Sequence, residues 1–84
     1  MPMDAGIIEL DLHRMTVRQA QAAINTKLRT VRPSTYRLRL IHGYNSGTEL
    51  RDMIRRVYRK HPKVLRLEIG LNPGETDLVL REYY

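Results

Sequence analysis

The sequence predicts an α/β fold: a two-layer sandwich of element order β-α-β-α-β-β, with a four-stranded mixed sheet and both helices on one face. Three observations lead there. Apolar residues recur at every second position in four short segments, the period of a strand. Two longer segments between them repeat at three and four residues, and each opens with a capping box. The sides of the strands opposite the apolar ones carry charge, so helices can cover only one face of the sheet. At 84 residues the chain fits one small domain over 1–84, with its core between about 7 and 82.

The first strand covers about Ile7 to His13, with Ile8, Leu10 and Leu12 on one side and Glu9, Asp11 and His13 on the other. Thr16 begins "TVRQ", where a threonine and a glutamine three residues on satisfy free N–H groups at a helix start. Val17, Ala20, Ile24, Leu28 and Val31 then form one stripe, and Pro33 stops the helix. The second strand alternates Tyr36, Leu38, Leu40 and His42 with Arg37, Arg39 and Ile41. Ser46 opens the second capping box, "SGTE", ahead of a helix with Leu50, Ile54 and Val57 inward, ended by His61 and Pro62. Leu65, Leu67 and Ile69 mark the third strand. Pro73 and Gly74 suit the centre of a type II turn, and a fourth strand, about Thr76 to Arg81, returns antiparallel to the third. Crossovers of this kind are right-handed and make parallel strands.

Composition narrows the class of function. Fifteen Lys and Arg against nine Asp and Glu leave a net charge of +6. Arginine, which dominates the bases, presents a planar fork that matches phosphate, so nucleic acid is the expected partner, alone or within a larger nucleoprotein assembly. There is no cysteine, hence no disulfide framework and no thiolate zinc site, which suits a reducing, cytoplasmic setting. The N-terminus lacks a basic segment before an apolar run, and no apolar stretch approaches membrane-spanning length. No cofactor and no metal are expected.

Chemistry concentrates at two strand ends. His13 and His42 both stand where a parallel strand finishes, the edge where open α/β sheets place ligands. Alternation sends His13 to the open side and His42 to the Leu38 side, so their convergence depends on how each strand end leaves the sheet. After His42, Gly43 and Gly47 bracket Tyr44, Asn45 and Ser46 in a turn that leads into a helix N-terminus, which attracts anions. Tyr44 offers a flat ring for stacking on a base. Arg51, Arg55 and Arg59 follow at four-residue spacing on a stretch with a single acid, Asp52.

These residues resemble the Smr (small MutS-related) domain family. "LDLH" closing the first strand, "IHGYNSGTELRDMI", "HPKV" and "GLNPGETDLVL" carry the resemblance, over about Ile8 to Leu80. It implies a fold like the C-terminal domain of the third bacterial translation initiation factor, with the last strand antiparallel inside the sheet. It also implies nucleic-acid binding and an association with cleavage of DNA or RNA. The family's Asp-x-His falls on Asp11 and His13, and its His-Gly turn on His42 and Gly43. Arg14 and Asn45 stand where the family commonly has glycine.

Three functions follow. In an endonuclease, Asp11 would hold the tautomer of His13, and His13 would act as general acid or base. His42 would supply a second proton transfer or a hydrogen bond to phosphate. Arg14, the turn from Gly43 to Gly47 and the arginines at 51, 55 and 59 would hold the backbone. The alternatives are a nucleic-acid or ribosome binding module without chemistry, and an interaction domain for an acidic protein.

Overall fold

The computed structural model describes residues 6–43 and 48–82. Its elements are β1 (Ile7–Asp11), α1 (Val17–Thr30), β2 (Arg37–Ile41), α2 (Thr48–Val57) with a 3-10 turn at Tyr58–Lys60, β3 (Arg66–Glu68) and β4 (Glu75–Val79). The strands lie in the order β1-β2-β4-β3. β1 and β2 run parallel, with Asp11 beside Ile41, and β4 is antiparallel to both β2 and β3. The last strand therefore inserts between the second and third, and the expected mixed sheet is present.

Local chemistry explains the helices. Thr16 Oγ1 accepts from the Gln19 N–H at 3.1 Å while Gln19 Oε1 accepts from the Thr16 N–H at 3.0 Å, closing the first capping box. Val31 is extended and lies outside α1, because the restriction that Pro33 places on the chain ends the helix early. Lys63 Nζ donates to the free Leu28 carbonyl near the end of α1, at 2.9 Å. The capping box at Ser46 lies outside the described residues.

Ala20, Ile24 and Leu28 of α1 and Leu50, Met53 and Ile54 of α2 share one core with Leu38, Leu40 and Leu78, so both helices cover the same sheet face. Met53 and Tyr58 are buried too, whereas Val57 is only partly so; the 3-10 turn swings Tyr58 inward in its place. The Tyr58 hydroxyl donates to Asn25 Oδ1 at 2.6 Å, which lets a phenol sit in the core. The turn before β4 closes through Glu75 N–H to Asn72 O at 3.2 Å. It is not type II: Gly74 is absent from the described residues with positive φ, Arg14 and Gly43, and Asn72 Oδ1 accepts from the Gly74 N–H at 2.9 Å.

Candidate functional site

Asp11 is the last residue of β1, and Leu12 beyond it drops into the core with its N–H on the Ile41 carbonyl at 2.8 Å. The chain then turns, with Met15 N–H on Leu12 O at 3.0 Å, and His13 begins that turn. Asp11 Oδ1 accepts twice from His13, from the backbone N–H at 3.1 Å and from ring Nδ1 at 2.5 Å. A carboxylate accepts only, so Nδ1 carries the hydrogen and the neutral ring keeps its lone pair on Nε2. Nε2 has no protein partner among the described residues, and the two side chains are 57% (Asp11) and 52% (His13) exposed. The side-chain hydrogen bond from His13, then the backbone one, hold the Asp11 carboxyl below its ordinary range.

The end of β2 behaves differently. His42 keeps to the strand alternation and is 3% exposed. Its Nδ1 donates to the Gly43 carbonyl at 2.8 Å and its Nε2 accepts from Thr76 Oγ1 at 3.0 Å. The backbone N–H groups of His42 and Gly43 both reach the Gly74 carbonyl, at 2.9 and 3.0 Å. Burial, above all, pushes the His42 pKa down, and Arg55 and Arg51 push it the same way, so the ring is neutral at pH 7. The two imidazoles therefore do not converge. Both nitrogens of His42 are spent on the fold, because alternation turns the ring inward and Thr76 on β4 meets it there. What reaches His13 instead is the turn itself: a Cβ placed on Gly43 would stand 3.8 Å from the His13 Cβ.

The open sheet face is a charge ladder. Asp77, in the middle of β4, accepts from Arg37 at 2.8 Å and from Arg39 at 3.1 Å. Glu68 pairs with Arg37 and Arg66 at 2.9 and 3.0 Å, and Glu82 with Arg66 at 2.7 Å. Among the described residues six of the eight carboxylates, Glu9, Asp11 and Glu75 included, stand on this side with only three arginines, Arg37, Arg39 and Arg66. The other twelve bases belong to the helices and loops. On α2, Arg51 has one long contact to Asp52 at 3.4 Å, and Arg59 donates to its own helix at Arg55 O, also at 3.4 Å. Arg55 Nε is buried without a hydrogen-bond partner among the described residues. Among the described residues the helix side is basic and largely unpaired.

The model of the Smr domain family matches residues 10–73, from the strand that carries Asp11 to the turn before β4. The chain belongs to the Smr domain family. The crystal structure of the Smr domain of Thermus thermophilus MutS2 is similar to it at 30% identity and a TM-score of 0.79, over 89% of this chain and 99% of that one. A search of characterised protein sequences finds no match.

Within this Smr domain the first departure from the family pattern has a visible structure. Arg14 takes a φ of 71°, the left-handed conformation that glycine adopts without cost, immediately after His13. Gly43 takes the same conformation at 79°. Tyr44, Asn45, Ser46 and Gly47 lie outside the described residues. Sequence reasoning missed Thr76, Gly74 and Asp77. Thr76 and Asp77 read as ordinary strand residues, and nothing local to them signals that one holds His42 and the other neutralises two arginines. Among the described residues no three His, Cys, Asp or Glu side chains gather as a metal cluster. Nor is any described helix long and apolar enough to cross a membrane.

Proposed function

We propose that this Smr domain binds nucleic acid along its helix side and cleaves RNA with the Asp11–His13 pair. The observation that carries the reading is the pair itself. An exposed imidazole is held by a carboxylate at 2.5 Å through Nδ1, which leaves Nε2 as a free base at the strand-end edge. Nucleic-acid binding in the family at large supports the same reading, as does the sparsely paired basic surface of α2.

In the proposed reaction Nε2 takes the proton of a ribose 2′-OH. The 2′ oxygen bonds to the adjacent phosphorus as the bond from phosphorus to the 5′ oxygen breaks, and the departing oxygen takes a proton from water. Asp11 fixes the tautomer and stabilises the imidazolium that forms. His42 is a positioning residue: it ties the Gly43 turn to β4 behind His13. Arg51, Arg55 and Arg59 hold phosphates.

Labelled single-stranded RNA, duplex DNA and supercoiled plasmid, each with and without chelator, test this. The expected result is RNA cleavage that persists in chelator, leaves a 2′,3′-cyclic phosphate and spares DNA. DNA nicking that chelator abolishes would overturn the mechanism. Binding without cleavage of any substrate would leave a binding module in which Asp11 and His13 contact the ligand.

A further inference from the structure

Leu65, Ile69 and Leu71 are the large apolar residues exposed among those described, at 55%, 52% and 104%. All three belong to a single stretch, the edge strand β3 and the residues beside it. The backbone there has a free side as well. Leu80 N–H donates to Tyr36 O at 2.8 Å, so Leu80 and Leu78 turn their backbone groups to β2, and Val79 and Asp77 turn theirs to β3. In the observed register Val79 meets Arg66 and Asp77 meets Glu68. The Leu67 N–H and C=O therefore face outward from the sheet.

We infer that β3 is a pairing edge for a second copy of this chain. The argument is self-complementarity. An antiparallel pair of β3 strands centred on Leu67 sets Leu67 opposite Leu67, exchanging two backbone hydrogen bonds. It sets each Arg66 opposite the other copy's Glu68 and brings each Leu65, whose N–H stays on Val79 O at 2.7 Å, to the end where the other copy's Ile69 lies. Opposite charges then face one another twice, and the exposed apolar residues cover one another twice. A charge placed to protect an edge would repel its own image; this pair attracts it. The two-fold axis stands perpendicular to the sheet, so the eight-stranded product carries both helix layers on one side. A long nucleic acid then meets two basic surfaces side by side. One short strand pair is small against the roughly 1,200 Å² of a stable complex, so the dimer is concentration-dependent.

Sedimentation equilibrium on the full chain, from micromolar to about millimolar protein, tests this with charge reversals. Arg66→Glu sets like charges opposite in its own dimer, and so does Glu68→Arg. Each weakens association by about tenfold or more. An equimolar mixture of the two restores opposite charges at both positions, and its association returns to near the parental level. Ile69→Asp, beyond the paired residues of β3, weakens association without touching the intrachain ion pairs. Thermal melts show which variants are folded, and Ile69→Asp decides the matter if a reversal is not. A parent that stays monomeric throughout, folded variants that associate like the parent, or folded reversals that fail to recover on mixing would each overturn the inference.

Discussion

The ends of β1 and β2 bring a histidine to the same edge of the same sheet and use it in opposite ways. His13 stands in the turn after β1, exposed, with one nitrogen on Asp11 and the other free. His42 stands in line with β2, buried, with one nitrogen on Gly43 O and the other on Thr76. The difference is one of parity. Leu12 takes the inward position after Asp11, so His13 falls outside; His42 itself takes the inward position after Ile41. Two like residues one register place apart in parallel strands thus divide the work, one open to a ligand and one holding the turn against which the first rests.

The largest expected effect separates the two by activity. His13→Ala should lower the RNA cleavage rate by about 10² to 10⁴, the usual weight of a general acid–base, with no change in thermal midpoint. Equal rates for parent and variant would remove His13 from the chemistry. His42→Ala should do the converse in stability. It empties a buried site and strands Thr76 Oγ1 and the Gly43 carbonyl, for a loss of about 2–4 kcal/mol by urea unfolding. A neutral result would mean that the turn is held by the Gly74 carbonyl alone.

Thr76→Val sharpens the same contrast, since it keeps the shape and removes only the hydroxyl. It should cost about 1–2 kcal/mol, because His42 Nε2 is left buried without a partner. A pH series then reads His42 without a mutation. Its pKa is depressed in the folded state, so the unfolded chain takes up the proton first as pH falls. This contribution is complete above the ordinary histidine value of 6.5 and is lost as pH drops through it toward the folded value. Urea midpoints between pH 7.5 and 5.5 should fall more steeply for the parent than for His42→Gln. Parallel slopes would count against a buried neutral ring.

The smallest effect lies beside His13. Arg14→Gly removes a left-handed backbone strain of about 1 kcal/mol but adds freedom to the unfolded chain, for a net gain of at most about 1 kcal/mol by the same unfolding measurement. A clear loss of stability would show that the Arg14 side chain makes a contact worth more than the strain.

Much of this molecule was legible from spacing alone. Alternation and helical periodicity are local signals, set by where Cβ points in each backbone conformation, and they placed both helices and all four strands. The capping box at Thr16 and the polar outer face of the sheet were legible for the same reason. So was the inward direction of His42. Strand ends were less so: Leu65 and Ile69 continue the alternation of the sequence and yet lie outside β3 and stand exposed, because β3 is a short edge strand with a neighbour on one side only. Val57 likewise gave way to Tyr58, because a 3-10 turn changes the angular step that a stripe assumes.

What only the tertiary structure decided are the pairings between distant segments. Nothing near residue 42 announces Thr76, and nothing near Arg37 or Arg39 announces Asp77. Both partners arrive because β4 inserts beside β2, and register then sets Asp77 opposite Arg39 and Thr76 opposite Leu40. That insertion neutralises Arg37 and Arg39 through Asp77, whereas among the described residues the arginines of α2 have one long ion pair, Arg51 with Asp52 at 3.4 Å. A sequence lists its charges, but only the fold decides which of them meet their opposites and which remain free for a phosphate.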